Sequence, residues 1–120
     1  MDTDRFNAFC ESLPASTHVV QWGAHDVWKV GGKVYVIAGT QENGHFAASF
    51  KVSDMGWEVL RDHPDCRPAP YLASRGLKWI QYYRGDAMGD DELLDLIRDA
   101  HRIVASGLSK KKQRELGLLP

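Results

Sequence analysis

The chain has 120 residues, 43% of them apolar and 26% charged, with a formal net charge of −1. That is one domain with enough chain for its own core, and a near-neutral balance excludes a protein coated in basic surface. No apolar run approaches the ~20 residues of a membrane span. The acidic start Met1-Asp2-Thr3-Asp4 is unlike a signal peptide, and Cys10 and Cys66 lack a CxxC partner. A cytoplasmic protein without structural disulfides is the expectation.

Thr3 is the expected N-cap of a first helix over residues 4–13, in which Phe6, Phe9, Cys10 and Leu13 follow the spacing of one buried face. Pro14 ends it. An extended piece from Thr17 to Trp22 leads through Gly23 into Val27-Trp28-Lys29-Val30-Gly31-Gly32-Lys33-Val34-Tyr35-Val36. Two glycines between β-rich runs supply the positive φ of a tight two-residue hairpin. A regular ladder pairs Val30 with Lys33, Lys29 with Val34, Trp28 with Tyr35 and Val27 with Val36. One face then carries Trp28, Val30, Lys33 and Tyr35, and the other Val27, Lys29, Val34 and Val36. The turn cluster Gly39 to Gly44 separates this hairpin from a third strand, in which Phe46, Ala48, Phe50 and Val52 alternate with more polar neighbours.

Ser53 caps a short helix containing Trp57, Val59 and Leu60. Pro64, Pro68 and Pro70 make residues 63–70 mostly irregular, and Tyr71 to Arg75 form one turn before Gly76. Leu77 to Tyr83 is the last expected strand. Asp90, Asp91 and Glu92 open the longest helix at the positive end of its dipole, and Leu93, Leu96, Ile97, Ala100 and Val104 trace its buried stripe. Gly107 fits its C-cap, and a short basic helix over residues 109–116 follows. The expected core joins Phe6, Phe9, Val34, Val36, Phe50, Leu93 and Ile97.

Catalytic and metal-binding patterns are missing from this sequence. His18, His25, His45, His63 and His101 are scattered over different elements, and His63-Pro64-Asp65-Cys66 lacks the further ligands that zinc requires. No serine stands in a Gly-x-Ser-x-Gly elbow. Gly31-Gly32-Lys33 joins strand to strand, whereas a phosphate loop joins strand to helix. The reading is therefore non-enzymatic, with no metal or cofactor. Lys29, Lys33, Lys51, Lys78 and Arg84 lie on or beside strands, and Lys110, Lys111, Lys112 and Arg114 cluster near the C-terminus. Lysine at a hairpin also serves to blunt a strand edge. Together with the neighbouring aromatics Trp28, Tyr35, Trp79 and Tyr83, these cations make a surface suited to phosphates and bases.

The order of these pieces resembles the MmcQ/YjbR family of small bacterial proteins over nearly the whole chain. The residues that carry the resemblance are Leu13-Pro14, Trp22-Gly23, the run from Val27 to Tyr35, Ser49-Phe50-Lys51-Val52, the passage from Tyr71-Leu72 to Lys78-Trp79, and Ile103-Val104 to Leu108. Ala100-His101 departs from the Ser-Tyr of many relatives. The resemblance implies an α+β fold: a curved antiparallel sheet with helices packed on one side, likened to a double-wing DNA-binding arrangement. It implies no established catalytic residues. The expected function is thus binding of duplex DNA, with Lys29, Lys33, Lys51, Lys78 and Arg84 on backbone phosphates. The alternative is a protein- or small-ligand-binding module that uses an aromatic sheet face of Trp28, Tyr35 and Trp79.

Overall fold

The computed structural model describes all residues from Met1 to Pro120. Asp2, one residue earlier than expected, caps helix α1 (Thr3–Ser12) by accepting the Arg5 N–H. Strands β1 (Ser16–Gln21), β2 (His25–Val30), β3 (Lys33–Thr40) and β4 (Phe46–Lys51) follow. Next come α2 (Asp54–Leu60), β5 (Cys66–Pro68), a single 3-10 turn at Ala73–Arg75 and β6 (Trp79–Tyr82). Helices α3 (Asp90–Ser106) and α4 (Lys110–Glu115) complete the chain. The strands form one antiparallel sheet in the order β1-β2-β3-β4-β6-β5. The fold is α+β, a six-stranded curved sheet with four helices.

The core lies between the sheet and helices α1 and α3. Phe6 and Cys10 from α1 and Leu93, Ile97 and Ala100 from α3 are buried against Val30, Tyr35, Val36, Phe50 and Ile80. The helical spacing of the first group and the alternation of the second, broken once between Tyr35 and Val36, point both sets inward. His101 is also buried. Its Nε2–H donates to the Pro14 carbonyl at 2.7 Å, and its ring meets the edge of Tyr35.

The Gly31-Gly32 turn forms as expected, with φ of +58° and +80°, the two positive values of a type I′ hairpin. Beyond its second pair the register departs from the regular ladder. Lys29 pairs with Val34, but Trp28 then pairs with Val36 and Val27 with Ile37, leaving Tyr35 as an extra residue on β3. This β-bulge turns Tyr35 and Val36 to the same, helix-covered face. Two expectations are corrected by it. Val36 shares a face with Trp28 rather than with Val27, and Val34 lies on the open face, only half-buried. Phe9 also sits at the edge of the core, half-buried under the Arg98 guanidinium at 5.1 Å.

The expected irregular stretch over residues 63–70 contains β5, which pairs with β6 at the sheet edge. Three residues are too few for a periodic signal, and Pro68, which has no N–H, is acceptable on an edge strand. The extended piece after Pro14 is β1, the opposite edge. No helix is long and apolar enough to cross a membrane.

Candidate functional site

The hairpin tip is seated on the far end of the helical layer. A Cβ placed on Gly31 would lie 2.6 Å from a Leu108 methyl and 3.3 Å from one of Leu116, so any larger residue would have to push these leucine side chains aside. Leu108 and Leu116 flank α4, which carries Lys110, Lys111, Lys112 and Arg114 on exposed positions. The contact therefore places exposed Lys33 and these four cations at one end of the molecule. None of the five forms a salt bridge.

The acids gather at the other end of α3. Asp90, Asp91 and Glu92 occupy its first turn, and Arg5 spans Asp90 at 2.9 Å and Asp91 at 3.2 Å. Over its 17 residues α3 separates the two ends by about 25 Å at 1.5 Å per residue. A net charge of −1 thus conceals a molecule with one basic and one acidic pole.

The strand cations divide. Lys29, paired with Val34, and Lys51, paired with Trp79, lie on the open face of the sheet, whereas Lys33 belongs to the tip. Lys78 donates to Asp54 at 2.7 Å, and this hydrogen bond and the Lys78 charge, with Lys51 nearby, hold the Asp54 carboxyl below its usual range. Arg84 follows β6 at the end away from the tip, with its guanidinium 6.0 Å from the Tyr83 ring centre. The five strand and hairpin cations do not make one patch, because their side chains leave the sheet at different ends and faces. The α4 cations were visible as a run in the sequence. Only the contact of Gly31 with Leu108 and Leu116 joins them to the hairpin.

The expected aromatic surface does not form. Trp28 is 4% exposed and donates its indole N–H to Asn7 in α1, and Tyr35 is 0% exposed with its hydroxyl on Ser16. Trp79 points to the opposite face and is 9% exposed. The exposed aromatics are instead Trp22 at 62% and Tyr71 at 78%, residues the sequence offered only as the end of an extended piece and the start of a turn, not as a surface. They border a cleft of about 450 Å³ on the open face of the sheet, floored by Ile37, Gly39, Ala47 and Ser49.

The loop after β6 is fixed by a fully buried carboxylate. Asp65 accepts N–H donors from Asp86 at 3.1 Å, Ala87 at 2.9 Å and Met88 at 2.6 Å. Burial opposes its ionisation, but the three backbone donors prevail and hold the carboxyl below the usual range. The His63 imidazole beside it accepts the Asp65 N–H at 3.0 Å and favours its ionised form, but the carboxylate oxygens are spent on the backbone.

Residues 11–103 match the family model named YjbR. The chain belongs to the YjbR family. Over 93 residues it is 29% identical to Uncharacterized protein YbdF of Escherichia coli O157:H7, covering 76% of this chain and 73% of that one. Among solved structures it is similar to the DUF419 domain protein DR2400 of Deinococcus radiodurans, with a TM-score of 0.81 and 25% identity over 97% of this chain and 88% of that one. A Pseudomonas syringae protein shares the fold at a TM-score of 0.69 and 17% identity, over 87% of this chain and 99% of its own. The YjbR match takes in the sheet, the cleft and most of α3, and it ends before α4.

Proposed function

We propose that this YjbR-family domain is a non-enzymatic nucleic-acid-binding protein that holds duplex DNA by its phosphates at the basic pole. The single observation that carries the reading is the seating of Gly31 on Leu108 and Leu116, which groups Lys33 with Lys110, Lys111, Lys112 and Arg114. Unpaired, solvated ammonium and guanidinium groups on two adjoining elements suit a sugar–phosphate backbone, where each contact releases a counterion. Lys29, on the open face near the tip, is placed to extend the contact. Lys51 and Lys78 contribute less, since Asp54 lies between them.

The test is a titration of duplex DNA at two salt concentrations. Each neutralised phosphate adds about −0.9 to the slope of log affinity against log salt. Three or four contacts would lower affinity by about 40- to 150-fold between roughly 50 and 200 mM salt. Exchange of Lys33, Lys111 and Lys112 for Gln should flatten the slope while the fold persists, because these side chains are exposed. Absence of salt-sensitive binding to any duplex at the lower salt would reject the reading.

A further inference from the structure

The cleft on the open sheet face has a chemistry unlike that of the basic pole. No Lys, Arg, Asp or Glu lines it. Its volume of about 450 Å³ lies within the roughly 300–1,000 Å³ of small-molecule sites. Measured along β3 from Lys33 to Gly39, this part of its floor stands about 20 Å from the hairpin tip at 3.3 Å per residue. A ligand held here would not need the cations of α4.

Both rim aromatics are held in a backbone conformation that side-chain-bearing residues seldom adopt. Trp22 has φ +50° and Tyr71 φ +74°, the left-handed region that favours glycine. Neither strain is offset by burial of the ring, since both rings stand in solvent. Local hydrogen bonds maintain each turn. The Trp22 carbonyl accepts from His25 Nδ1–H at 2.8 Å, and the Tyr71 carbonyl accepts from the Ser74 hydroxyl at 2.7 Å. Large exposed aromatics kept in strained turns on two sides of one cleft are the arrangement expected where rings must be presented to a partner.

The polar atoms at the cleft have defined roles. Because His25 Nδ1 carries the proton given to the Trp22 carbonyl, its Nε2 is an acceptor when the ring is neutral. The imidazole can approach the floor this closely because residue 39 is glycine, where a Cβ would come 2.8 Å from the ring. Gln41 gives its amide N–H to the Tyr83 carbonyl at 2.9 Å, which orients its side-chain oxygen as an unused acceptor. Gln81 receives Arg67 Nε–H at 2.7 Å on its oxygen, so its NH₂ group is an unused donor. The cleft therefore offers aromatic faces at its rim and both donors and acceptors within, all uncharged.

We infer that this cleft binds a planar, uncharged heteroaromatic ring with hydrogen-bonding edges, the chemistry of a nucleobase, through Trp22, Tyr71, His25, Gln41 and Gln81. Stacking on Trp22 or Tyr71 gives affinity that tolerates different rings, and the amides and imidazole read the edge. Such a ring can arrive as a free nucleoside or as an unpaired base in a single strand. The inference does not depend on the phosphate-binding reading, because the two sites lie apart and differ in charge.

The experiment follows amide and indole signals of isotopically labelled protein during titration with adenosine, uridine and a single-stranded thymidine oligonucleotide. The expected result is saturable movement of the Trp22 indole and the Gln81 side-chain amide signals, unchanged in midpoint for the nucleosides between low and moderate salt. Trp22→Gly and Tyr71→Gly remove one ring each while glycine keeps the left-handed turn without steric cost. Each should weaken binding about tenfold or more. Response to a nucleoside identifies the free molecule as a sufficient ligand, and response of the same signals to the oligonucleotide alone identifies a base within a strand. No saturable movement at the cleft with any of the three probes, or unaltered affinity in both glycine variants, would overturn the inference.

Discussion

Asp65 accepts the backbone N–H of Met88 at 2.6 Å, joining the start of β5 to the segment that leads into α3. With the two further donors from Asp86 and Ala87 it closes a loop that otherwise has no regular pairing. Replacement by Ala leaves these donors without their acceptor and should lower stability by roughly 2–4 kcal/mol, read as a drop in the denaturant midpoint at neutral pH.

The same carboxylate sets an acid sensitivity. Its folded pKa lies below the ordinary value of 3.8, so the unfolded chain takes up the proton first as pH falls. The stabilisation is complete above that ordinary value and is lost as pH descends through the folded one. Denaturation profiles of wild type and Asp65→Asn should converge on acidification below about pH 4. Profiles that stay parallel there would contradict the assignment.

Ile97 is fully buried between α3 and the sheet. Ile97→Ala should cost about 2–5 kcal/mol. An unchanged unfolding midpoint would show that the helical layer is packed differently.

Gly31 and Gly32 both have positive φ, yet they differ in surroundings. Nothing stands within 4 Å of a Cβ on Gly32, whereas one on Gly31 meets Leu108 and Leu116. Asparagine tolerates the left-handed conformation better than most residues. Gly32→Asn should therefore be nearly neutral, and Gly31→Asn should cost about 1 kcal/mol or more by displacing the leucines. Equal stability of the two variants would refute the close seating of the tip.

Cys10 and Cys66 are buried free thiols, and burial pushes each pKa up to about 12. Neither should react with a thiol reagent near neutral pH in the native protein. Both should react once denaturant opens the core. Rapid labelling of the folded state would contradict their burial.

The legible parts of this fold are those with a repeated or stereochemically demanding signal. Gly31-Gly32 marked the hairpin because few residues accept two successive positive φ values, and the stripe from Leu93 to Val104 marked α3 by its period. The bulge at Tyr35 left no comparable trace. Val34, Tyr35 and Val36 are all acceptable in a strand, so a skipped alternation among them changes no residue type. Tyr35 and Trp28 consequently read as surface aromatics when they are core. The cleft was hidden for a different reason: Trp22 and Tyr71 follow the two edge strands, β1 and β5, and only the folded sheet sets both on the rim of one cleft. Sequence near either residue shows only the end of an extended piece or the start of a turn.

The opposite poles of α3 give the protein a permanent electric moment even though its charges nearly cancel. In the field of any polyanion the molecule experiences a torque, and the orientation of lowest energy has Lys33 and α4 leading with Asp90 to Glu92 trailing. Ions confine that field to about 8–10 Å at physiological salt, so alignment occurs in the final approach rather than at long range. Net charge governs whether two bodies drift together, whereas its distribution governs which face arrives first. For this chain the first is almost nil, so the second is what remains to orient it.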